Sequence, residues 1–232
     1  MENNFPQISV IMSVYNSEKS LSKSINSILN QTYPNIELLI ANDGSEDNSG
    51  KICEEFASNH NNIKYLHNEE NIGLTKTLNK LIKISSGEYI ARQDADDESE
   101  KERLEEQYLF LKEKNLDGCS TRARVIGTNK IIPGFSYYIP PKFILKYKNP
   151  YIHGTLLIKN TVLQKIDFYD ERFFYAQDYK LMQDLNDNNF KILIMNKSLY
   201  RLNMENNIST IYRTKQKYYA DCVRKRIIPQ KI

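Results

Sequence analysis

The chain has 232 residues, of which 40% are hydrophobic and 26% are charged, as in ordinary globular proteins. That length predicts one large α/β domain or two small ones, and a net charge of +3 without a nucleic-acid motif gives no reason to expect a nucleic-acid partner. No apolar run approaches the roughly 18 residues of a membrane span, and the three cysteines have neither a zinc nor a disulfide spacing, which favours a cytoplasmic location.

The first half of the chain alternates strand and helix patterns. Short β-branched runs predict four strands, at 8–14, 36–41, 63–66 and 88–92. Apolar residues at helical spacing predict a helix between each strand and the next. This βαβαβαβ order predicts a mainly parallel sheet with helices on both faces.

Polar residues follow three of these strands where each strand ends. They are Tyr15 and Asn16 after the first strand, Asp43 after the second, and a run that begins at Asp94 after the fourth. Ligands of parallel α/β sheets bind beyond the carboxyl ends of the strands. The three loops are therefore predicted to converge on one rim.

The last of these loops holds three carboxylates, Asp94, Asp96 and Asp97. Like charges this close repel, and a hard divalent cation compensates them while sharing its other positions with substrate phosphates. The pattern predicts a metal–diphosphate site, and the alternative is a solvated acidic loop that caps the next helix. The eight glycines form neither a dinucleotide fingerprint nor a P-loop, which disfavours an oxidoreductase or a nucleoside triphosphatase.

Four segments, in order and at matching spacing, resemble the inverting family 2 glycosyltransferases of the GT-A fold. They are 8–16 (ISVIMSVYN), 42–45 (NDGS), 71–74 (NIGL) and 87–97 (GEYIARQDADD). The resemblance implies a nucleotide-binding sheet flanked by helices, with a smaller acceptor-side half. It also implies transfer of a sugar from a nucleotide-diphosphate donor, most simply a UDP-sugar, to a glycan or lipid-linked acceptor in surface polysaccharide biosynthesis, with Mn²⁺ or Mg²⁺ as cofactor.

The resemblance assigns roles to the matching residues. Asp43 would accept a hydrogen bond from uracil N3–H, Asp94 would face the ribose or uridine, and Asp96 would bind the metal. Asp97 is expected to be a cap or a supporting group, and Arg92 to pair with these acids. The remaining nucleotide-sugar contacts would be Val14, Tyr15, Asn16, Asn71, Gly73, Arg92 and Ala95. The simpler roles are a turn residue for Asp43 and a packed strand-end aromatic for Tyr15.

The second half is expected to supply the acceptor site and the base. Its pattern predicts a helix at 99–114, a strand-turn-strand at 125–132, an aromatic, Pro-rich lid or acceptor loop at 137–150, and a strand at 151–159. The segment 173–182 (FFYAQDYKLM) resembles the family's catalytic segment and implies that Asp178 is the general base. Its simpler role is to cap a helix at 179–185.

Two positions depart from the family pattern. Gln177 stands where the family usually has Glu, which puts the tuning of Asp178 in doubt, and Asn203 stands where a His is frequent. His153, Gln177 and Arg201 are candidate acceptor-side or diphosphate contacts. Alternatives of other classes are a non-catalytic nucleotide-sugar or glycan-binding module, which the two departures favour, and a nucleotidyltransferase, which usually needs a glycine-rich basic loop that 16–20 does not offer.

Three regions are expected along the chain. Residues 1–98 would bind the nucleotide-sugar, 99–210 would form the acceptor-binding and catalytic half of the same domain, and 211–232 would be a basic helix or tail. From Tyr212 onward there are seven Lys or Arg residues against one acid, Asp221. This charge predicts either peripheral contact with the inner face of a membrane or an ordinary solvated helix.

Overall fold

One mixed sheet of nine strands organises residues 5–204 and 212–230, the part of the chain that the computed structural model describes. In chain order the strands are β1 (Ile8–Val14), β2 (Ile36–Asp43), β3 (Ile63–Asn68), β4 (Tyr89–Arg92), β5 (Glu98–Ser99), β6 (Gly118–Val125), β7 (Ile131–Ile132), β8 (Leu157–Lys159) and β9 (Ile192–Leu202). They lie in the sheet in the order β3-β2-β1-β4-β8-β6-β9-β5, and β7 pairs with β6.

The predicted parallel half of the sheet is confirmed. Strand β1 pairs in parallel with β2 and β4, and β2 pairs in parallel with β3. Beyond β4 the sheet is mixed, because β8 is antiparallel to both β4 and β6, whereas β6 and β9 are parallel. The two halves of the chain therefore share one sheet, with β8 of the second half beside β4 of the first.

Helices cover both faces of the sheet and bury one apolar cluster on each. The helices are α1 (Leu21–Leu29), α2 (Ser49–Asn59), α3 (Leu74–Ile84), α4 (Arg103–Lys114), α5 (Pro141–Ile144), α6 (Asn160–Lys165), α7 (Gln177–Asp187) and α8 (Arg213–Lys225). Helices α1, α2 and α4 contribute to one cluster, and α3, α6, α7 and α8 contribute to the other. No described helix has the length and apolarity that crossing a membrane requires.

Three elements of the second half differ from the sequence prediction. Helix α4 begins at Arg103 rather than at 99, because Glu98 and Ser99 pair with β9 as β5. The strand predicted at 151–159 is confined to β8, because His153–Thr155 form a 3-10 turn. The predicted strand-turn-strand at 125–132 is the turn between β6 and β7, and β6 itself already begins at Gly118.

A buried carboxylate, Glu37, joins the strands at the edge opposite their carboxyl ends. It accepts hydrogen bonds from the Ser9 hydroxyl at 2.5 Å, from the Ser86 backbone N–H at 2.7 Å and from Lys64 Nζ at 2.7 Å. Burial by itself would raise the pKa of Glu37, but the hydrogen bonds from Lys64, Ser9 and Ser86 outweigh it and lower the pKa to about 2. Glu37 therefore ties β1, β2 and the turn before β4 into one frame.

We expect Glu37→Gln to lower the free energy of unfolding by about 2 kcal/mol at neutral pH, the scale of hydrogen bonds to a charged group. Because the folded pKa lies below the unfolded value of 4.5, the contribution is present above pH 4.5 and is lost as the pH falls towards 2. Urea unfolding at several pH values measures both effects. The control is Glu113→Gln, whose side chain is 68% exposed, and equal losses in the two variants would contradict the prediction.

Candidate active site

The carboxyl ends of β2, β1 and β4 lie side by side, and the loops that follow them form one rim. The first two loops are joined, because the Asn16 N–H donates to the Ser45 hydroxyl at 3.0 Å and the Glu46 N–H donates to Asn16 Oδ1 at 2.9 Å. Tyr15 is 48% exposed on this rim, whereas the side chain of Val14 is buried. Val14 can therefore reach a ligand only through its backbone.

Asp43, at the end of β2, organises the loop that carries Asn71 and Gly73. Its two carboxylate oxygens accept hydrogen bonds from Asn68 Nδ2 at 2.9 Å and from the backbone N–H groups of Ile72 and Gly73, each at 3.0 Å. Asp43 is 2% exposed. A carboxylate has about four acceptor positions, so three donors leave room for one more, and a contact with a uracil ring stays a prediction.

Gly44 allows the loop after β2 and the loop that carries Asn71 to approach each other. Its φ is +69°, and a Cβ there would lie 2.5 Å from the backbone nitrogen of Asn71. The residue must therefore be glycine for the loop after β2 to meet the loop that carries Asn71.

Arg92 pairs with Asp94, as the sequence predicted. Arg92 is 1% exposed and lies beneath the acidic loop, where it also donates to the carbonyl oxygens of Ile11 and Gln93. Its guanidinium therefore cannot touch a ligand on the rim directly. The residue orients Asp94, and any effect on a nucleotide passes through that carboxylate.

The backbone of the acidic loop is held from α1 and from its own strand. The Ser20 and Ser24 hydroxyls donate to the carbonyl oxygens of Ala95 and Asp94, at 3.2 and 2.8 Å. Gln93 Nε2 donates to the carbonyl oxygen of Asp97 at 2.9 Å. Ala95 is 6% exposed, so its side chain packs inward and only its backbone is available to a ligand.

Tyr200, Arg103 and Gly154 support Asp94 from the second half of the chain. The Asp94 N–H donates to the Tyr200 hydroxyl at 3.1 Å, and the Tyr200 ring lies 5.3 Å from the Arg103 guanidinium. Arg103 is fully buried and donates to the carbonyl oxygens of Arg92 and Gly154, at 3.0 and 2.7 Å. Burial lowers the pKa of Arg103 to about 10, so the guanidinium stays charged at neutral pH.

Sequence reasoning missed these three supports. A signal was present for Arg103, because it shares the buried face of α4 with Leu104, Gln107 and Leu111. A charged residue at a core position of an amphipathic helix needs a buried partner. Nothing in the local sequence of Tyr200 or Gly154 indicated their proximity to Asp94.

The three carboxylates of the loop are in different environments. Burial and repulsion from Asp94 raise the pKa of Asp96 to about 6. Burial, with repulsion from Asp94 and Asp96, also raises the pKa of Asp97, which accepts a hydrogen bond from the Asn203 N–H at 2.7 Å. Asp94 and Asp97 thus have protein partners, whereas no other described residue donates a hydrogen bond to the Asp96 carboxylate.

This arrangement fits a divalent cation that is held jointly with a substrate. Within residues 5–204 and 212–230, no three His, Cys, Asp or Glu side chains are grouped so that they could hold a metal by themselves. A single carboxylate such as Asp96 suits Mg²⁺ or Mn²⁺ when phosphate oxygens and water fill the other positions. The chemistry of the donor set therefore agrees with a metal–diphosphate site.

Asp178 lies in the first turn of α7, across from Asp94. Burial raises the pKa of Asp178 above the usual aspartate range, although Asn149 Nδ2, at 2.7 Å, and the Tyr179 N–H donate hydrogen bonds to it; repulsion from Asp94 adds to the increase. The two carboxylates are close enough to interact, which brings the predicted base to the same rim as the acidic loop. Gln177 is the first residue of α7 and is half-buried.

His153 lies near Arg92 and Asp94 and is held neutral. Its Nε2 is 2.8 Å from the Tyr169 hydroxyl. Burial, with the charge of Arg92, lowers the pKa of His153 to about 3, which outweighs the opposing effect of Asp94. A neutral imidazole is a hydrogen-bonding group here, and it has no charge with which to bind a diphosphate.

Arg201 is engaged elsewhere. Its Nε donates to Glu100 at 2.8 Å, Glu98 lies 3.9 Å from its Nη1, and the side chain is 53% exposed. Both glutamates belong to the segment around β5, so Arg201 fastens the edge of the sheet. To contact a diphosphate, as the sequence predicted, it would have to leave these two partners.

Comparison with known proteins identifies the family of this chain. The model of the family described as glycosyl transferase family 2 matches residues 9–166. The chain belongs to this family. It is 32% identical to the uncharacterized glycosyltransferase MJ1057 of Methanocaldococcus jannaschii, over 93% of this chain and 77% of that protein. It is 33% identical to the UDP-Glc:alpha-D-GlcNAc-diphosphoundecaprenol beta-1,3-glucosyltransferase WfgD of Escherichia coli, over 80% of this chain and 72% of that protein.

Solved glycosyltransferases show that the fold is GT-A. The mannosyltransferase PcManGT from Pyrobaculum calidifontis, in complex with GDP-Man and Mn²⁺, matches 99% of this chain with a TM-score of 0.78 and 17% identity. S. aureus TarS 1-349 in complex with UDP-GlcNAc matches 87% with a TM-score of 0.74 and 24% identity. The chain spans 66% and 59% of these two structures and 61% of the related glycosyltransferase EpsE of Bacillus subtilis.

We expect Gly154→Ala to weaken binding of UDP or GDP with Mn²⁺ at least about tenfold, a loss of about 1.4 kcal/mol. A Cβ at 154 would lie 2.7 Å from Asp94 Oδ2 and closer still to the Tyr200 hydroxyl, so the Asp94 carboxylate must move. Calorimetry measures the binding. The control is Gly134→Ala, where a Cβ has nothing within 4 Å, and wild-type affinity in Gly154→Ala would contradict a positioned Asp94.

Proposed function

We propose that this family 2 glycosyltransferase transfers a sugar from a UDP-sugar to a hydroxyl of a glycan or lipid-linked acceptor, with inversion, in surface polysaccharide biosynthesis. The observation that carries the proposal is the pairing of sites on one rim. The Asp94–Asp97 loop would hold a diphosphate and its cation, and Asp178, in the first turn of α7, lies close enough to Asp94 for the two charges to interact. A donor site and a base on one rim are what a direct displacement requires.

The assignment of the donor rests on the rim formed by the first half of the chain. Asp43 retains one acceptor position for a base N–H, and Tyr15 offers an exposed ring beside it. An N–H of uracil or of guanine could occupy that position. WfgD is named for UDP-Glc and PcManGT was solved with GDP-Man, so a panel of UDP- and GDP-sugars, read by nucleotide release, decides the base and the sugar.

We assign the cation to Asp96, with Asp94 beside it. When bound, Mn²⁺ or Mg²⁺ would neutralise the charge that develops on the departing nucleoside diphosphate. Asp94, oriented by Arg92 and by Tyr200, would face the ribose. Family membership favours this chemistry over a nucleotidyltransferase.

We assign proton removal to Asp178. As the acceptor oxygen attacks the anomeric carbon, Asp178 takes its proton, and the bond from that carbon to the diphosphate oxygen breaks. The raised pKa of Asp178 brings its basicity closer to neutral pH, which suits a general base. One displacement inverts the anomeric carbon, so an α-linked donor gives a β-linkage and no protein nucleophile is needed.

The acceptor class rests on the relatives. WfgD is named for an acceptor with a diphosphoundecaprenol group, and another relative, 36% identical over 75% of this chain, is named the O-antigen biosynthesis glycosyltransferase WbnJ of Escherichia coli. His153 and Gln177 would line the acceptor side as hydrogen-bonding groups. A neutral Gln in place of Glu removes one negative charge beside the base and leaves Asp178 as the proton acceptor.

We expect Asp178→Asn to lower kcat by about 10²–10⁴, the usual contribution of a positioned base. Nucleotide affinity should stay within about twofold of wild type, because Asp178 is not among the residues proposed to hold the nucleotide. The acid limb of the wild-type pH profile should lie above the usual aspartate range, since the folded pKa is raised and activity needs the ionised form.

The matched control for this base is Asp187→Asn, at the other end of α7, where Asp187 pairs with Arg226 at 2.9 Å. Because α7 begins at Gln177, Asp178 lies inside the helix and is not the cap of a helix at 179–185 that the sequence allowed. Turnover by Asp178→Asn at the wild-type rate would leave Asp178 only a structural role in the first turn of α7. It would also favour the non-catalytic binding module.

We expect Asp96→Asn to remove cation-dependent turnover while the apo protein stays folded, because loss of one carboxylate reduces repulsion in the loop. Nucleotide release in a Mn²⁺ titration gives the activity, and thermal unfolding gives the stability. The control is Asp167→Asn at an exposed turn. Full activity of Asp96→Asn, or of wild type in excess EDTA, would overturn the metal assignment.

A further inference from the structure

The middle of the chain is rich in basic residues. Between Asp117 and Asp167 the sequence has eight Lys or Arg residues and no Asp or Glu. Lys159 pairs with Asp117, but Lys142, Lys146 and Lys148 fall within seven residues, are exposed, and form no ion pair with any described residue. These three lysines therefore present unbalanced positive charge on the surface.

The same segment exposes four aromatic side chains. Phe135 is 82% exposed, Tyr138 72%, Phe143 53% and Tyr147 74%. We name residues 134–148 the aromatic loop. Single exposed apolar residues are ordinary on protein surfaces, but four large rings within one segment indicate an interaction surface.

The aromatic loop is anchored, so its exposed rings are presented on a supported backbone. Ile144 and Leu145 are buried, and the carbonyl oxygen of Leu145 accepts a hydrogen bond from the Tyr179 hydroxyl at 2.5 Å. Arg224 of α8 donates to the carbonyl oxygen of Tyr147 at 3.1 Å. The outward Phe143 and Tyr147 are four residues apart along this turn, beside the exposed Lys142 and Lys146.

We propose that the aromatic loop docks the protein onto an anionic lipid surface. Aromatic rings favour the interfacial region of a bilayer, and lysines beside them attract anionic head groups. A neutral glycan would leave the three lysines without counter-charges, which is why charge complementarity selects the lipid surface.

The loop also leads directly to the proposed base. Asn149, which donates a hydrogen bond to Asp178, follows Lys148. Docking of the aromatic loop would hold Asp178 near the plane from which the hydroxyl of a lipid-linked acceptor emerges. This last step rests on the proposed function, whereas docking itself does not.

The C-terminal helix is a weaker candidate for the membrane contact that its charge predicted. Tyr219, Cys222 and Val223 of α8 are buried in the core, and Arg226 pairs with Asp187. Arg224 pairs with Asp221 and holds the aromatic loop. Part of its charge is therefore already used within the protein.

The chain contains no tryptophan, so a single introduced indole reports on one position. We expect Phe135→Trp fluorescence to shift to shorter wavelength with phosphatidylglycerol–phosphatidylcholine vesicles, and not with phosphatidylcholine alone. The control is Leu109→Trp on α4, where Leu109 is 54% exposed. No shift at 135, or an equal shift at 109, would overturn docking through the loop.

Co-sedimentation with the same vesicles tests the charges. The triple variant K142Q/K146Q/K148Q should bind roughly a hundredfold more weakly at low salt, and high salt should weaken the wild type similarly. The control K51Q/K76Q/K112Q removes the same charge from exposed positions on α2, α3 and α4. Equal losses of vesicle binding in the two triple variants would show that net charge alone causes the effect, and would overturn the proposal.

A third measurement separates lipid docking from glycan binding. The double variant F143S/Y147S should lose about tenfold in vesicle binding and keep the wild-type KM for a water-soluble acceptor. Unchanged vesicle binding with a raised KM would instead make the loop a glycan-binding surface. Because vesicle binding needs no turnover, its outcome is independent of whether the proposed donor and base are correct.

Discussion

Three carboxylates at the end of β4 create the constraint on which the rest of the site depends. Asp94, Asp96 and Asp97 are held close together in a partly desolvated loop, and their repulsion has to be offset. Two buried guanidiniums lie beneath them: Arg92 pairs with Asp94, and Arg103 lies beneath the same loop, stacked on Tyr200. Burial and the repulsion within the loop raise the pKa values of both Asp96 and Asp97. Asp97 accepts the Asn203 N–H, whereas within residues 5–204 and 212–230 no other residue donates a hydrogen bond to the Asp96 carboxylate.

This constraint explains why the second half of the chain is built into the same sheet. Strand β8 pairs with β4 immediately before the acidic loop and places Gly154 against Asp94. Strand β9 supplies Tyr200, and Asn203, directly after β9, donates its N–H to Asp97. Residues of the second half therefore complete the surroundings of the acidic loop, so the boundary that the sequence predicts at 98/99 does not divide the packing.

The sequence predicted the first half of the molecule in detail and the second half only in outline. In the first half, the apolar periodicity of each segment predicts the strand or helix that the segment forms. The four parallel strands and the polar ends of three of them could therefore be inferred. In the second half, β5 and β8 are two and three residues long, and pairing partners far along the chain decide them. Tyr200 acts through its hydroxyl on Asp94, 106 positions away in the chain, and no local pattern encodes that contact. The burial of Arg103 could be inferred from the apolar face of α4, but its partners could not. Arg201, which the resemblance placed near the diphosphate, pairs with Glu98 and Glu100 because β5 brings those acids beside it.

The departure at Gln177 is best understood through the surroundings of Asp178. A neighbouring glutamate would add a negative charge and raise the pKa of the base further, whereas Gln177 does not. In this chain, burial and the charge of Asp94 already raise the pKa of Asp178, and Asn149 stabilises the ionised form with a 2.7 Å hydrogen bond. These opposing effects leave a carboxylate that is more basic than an exposed aspartate. Asn149 and the acidic loop can thus tune the proposed base, so the loss of the neighbouring charge does not by itself argue for a decayed site.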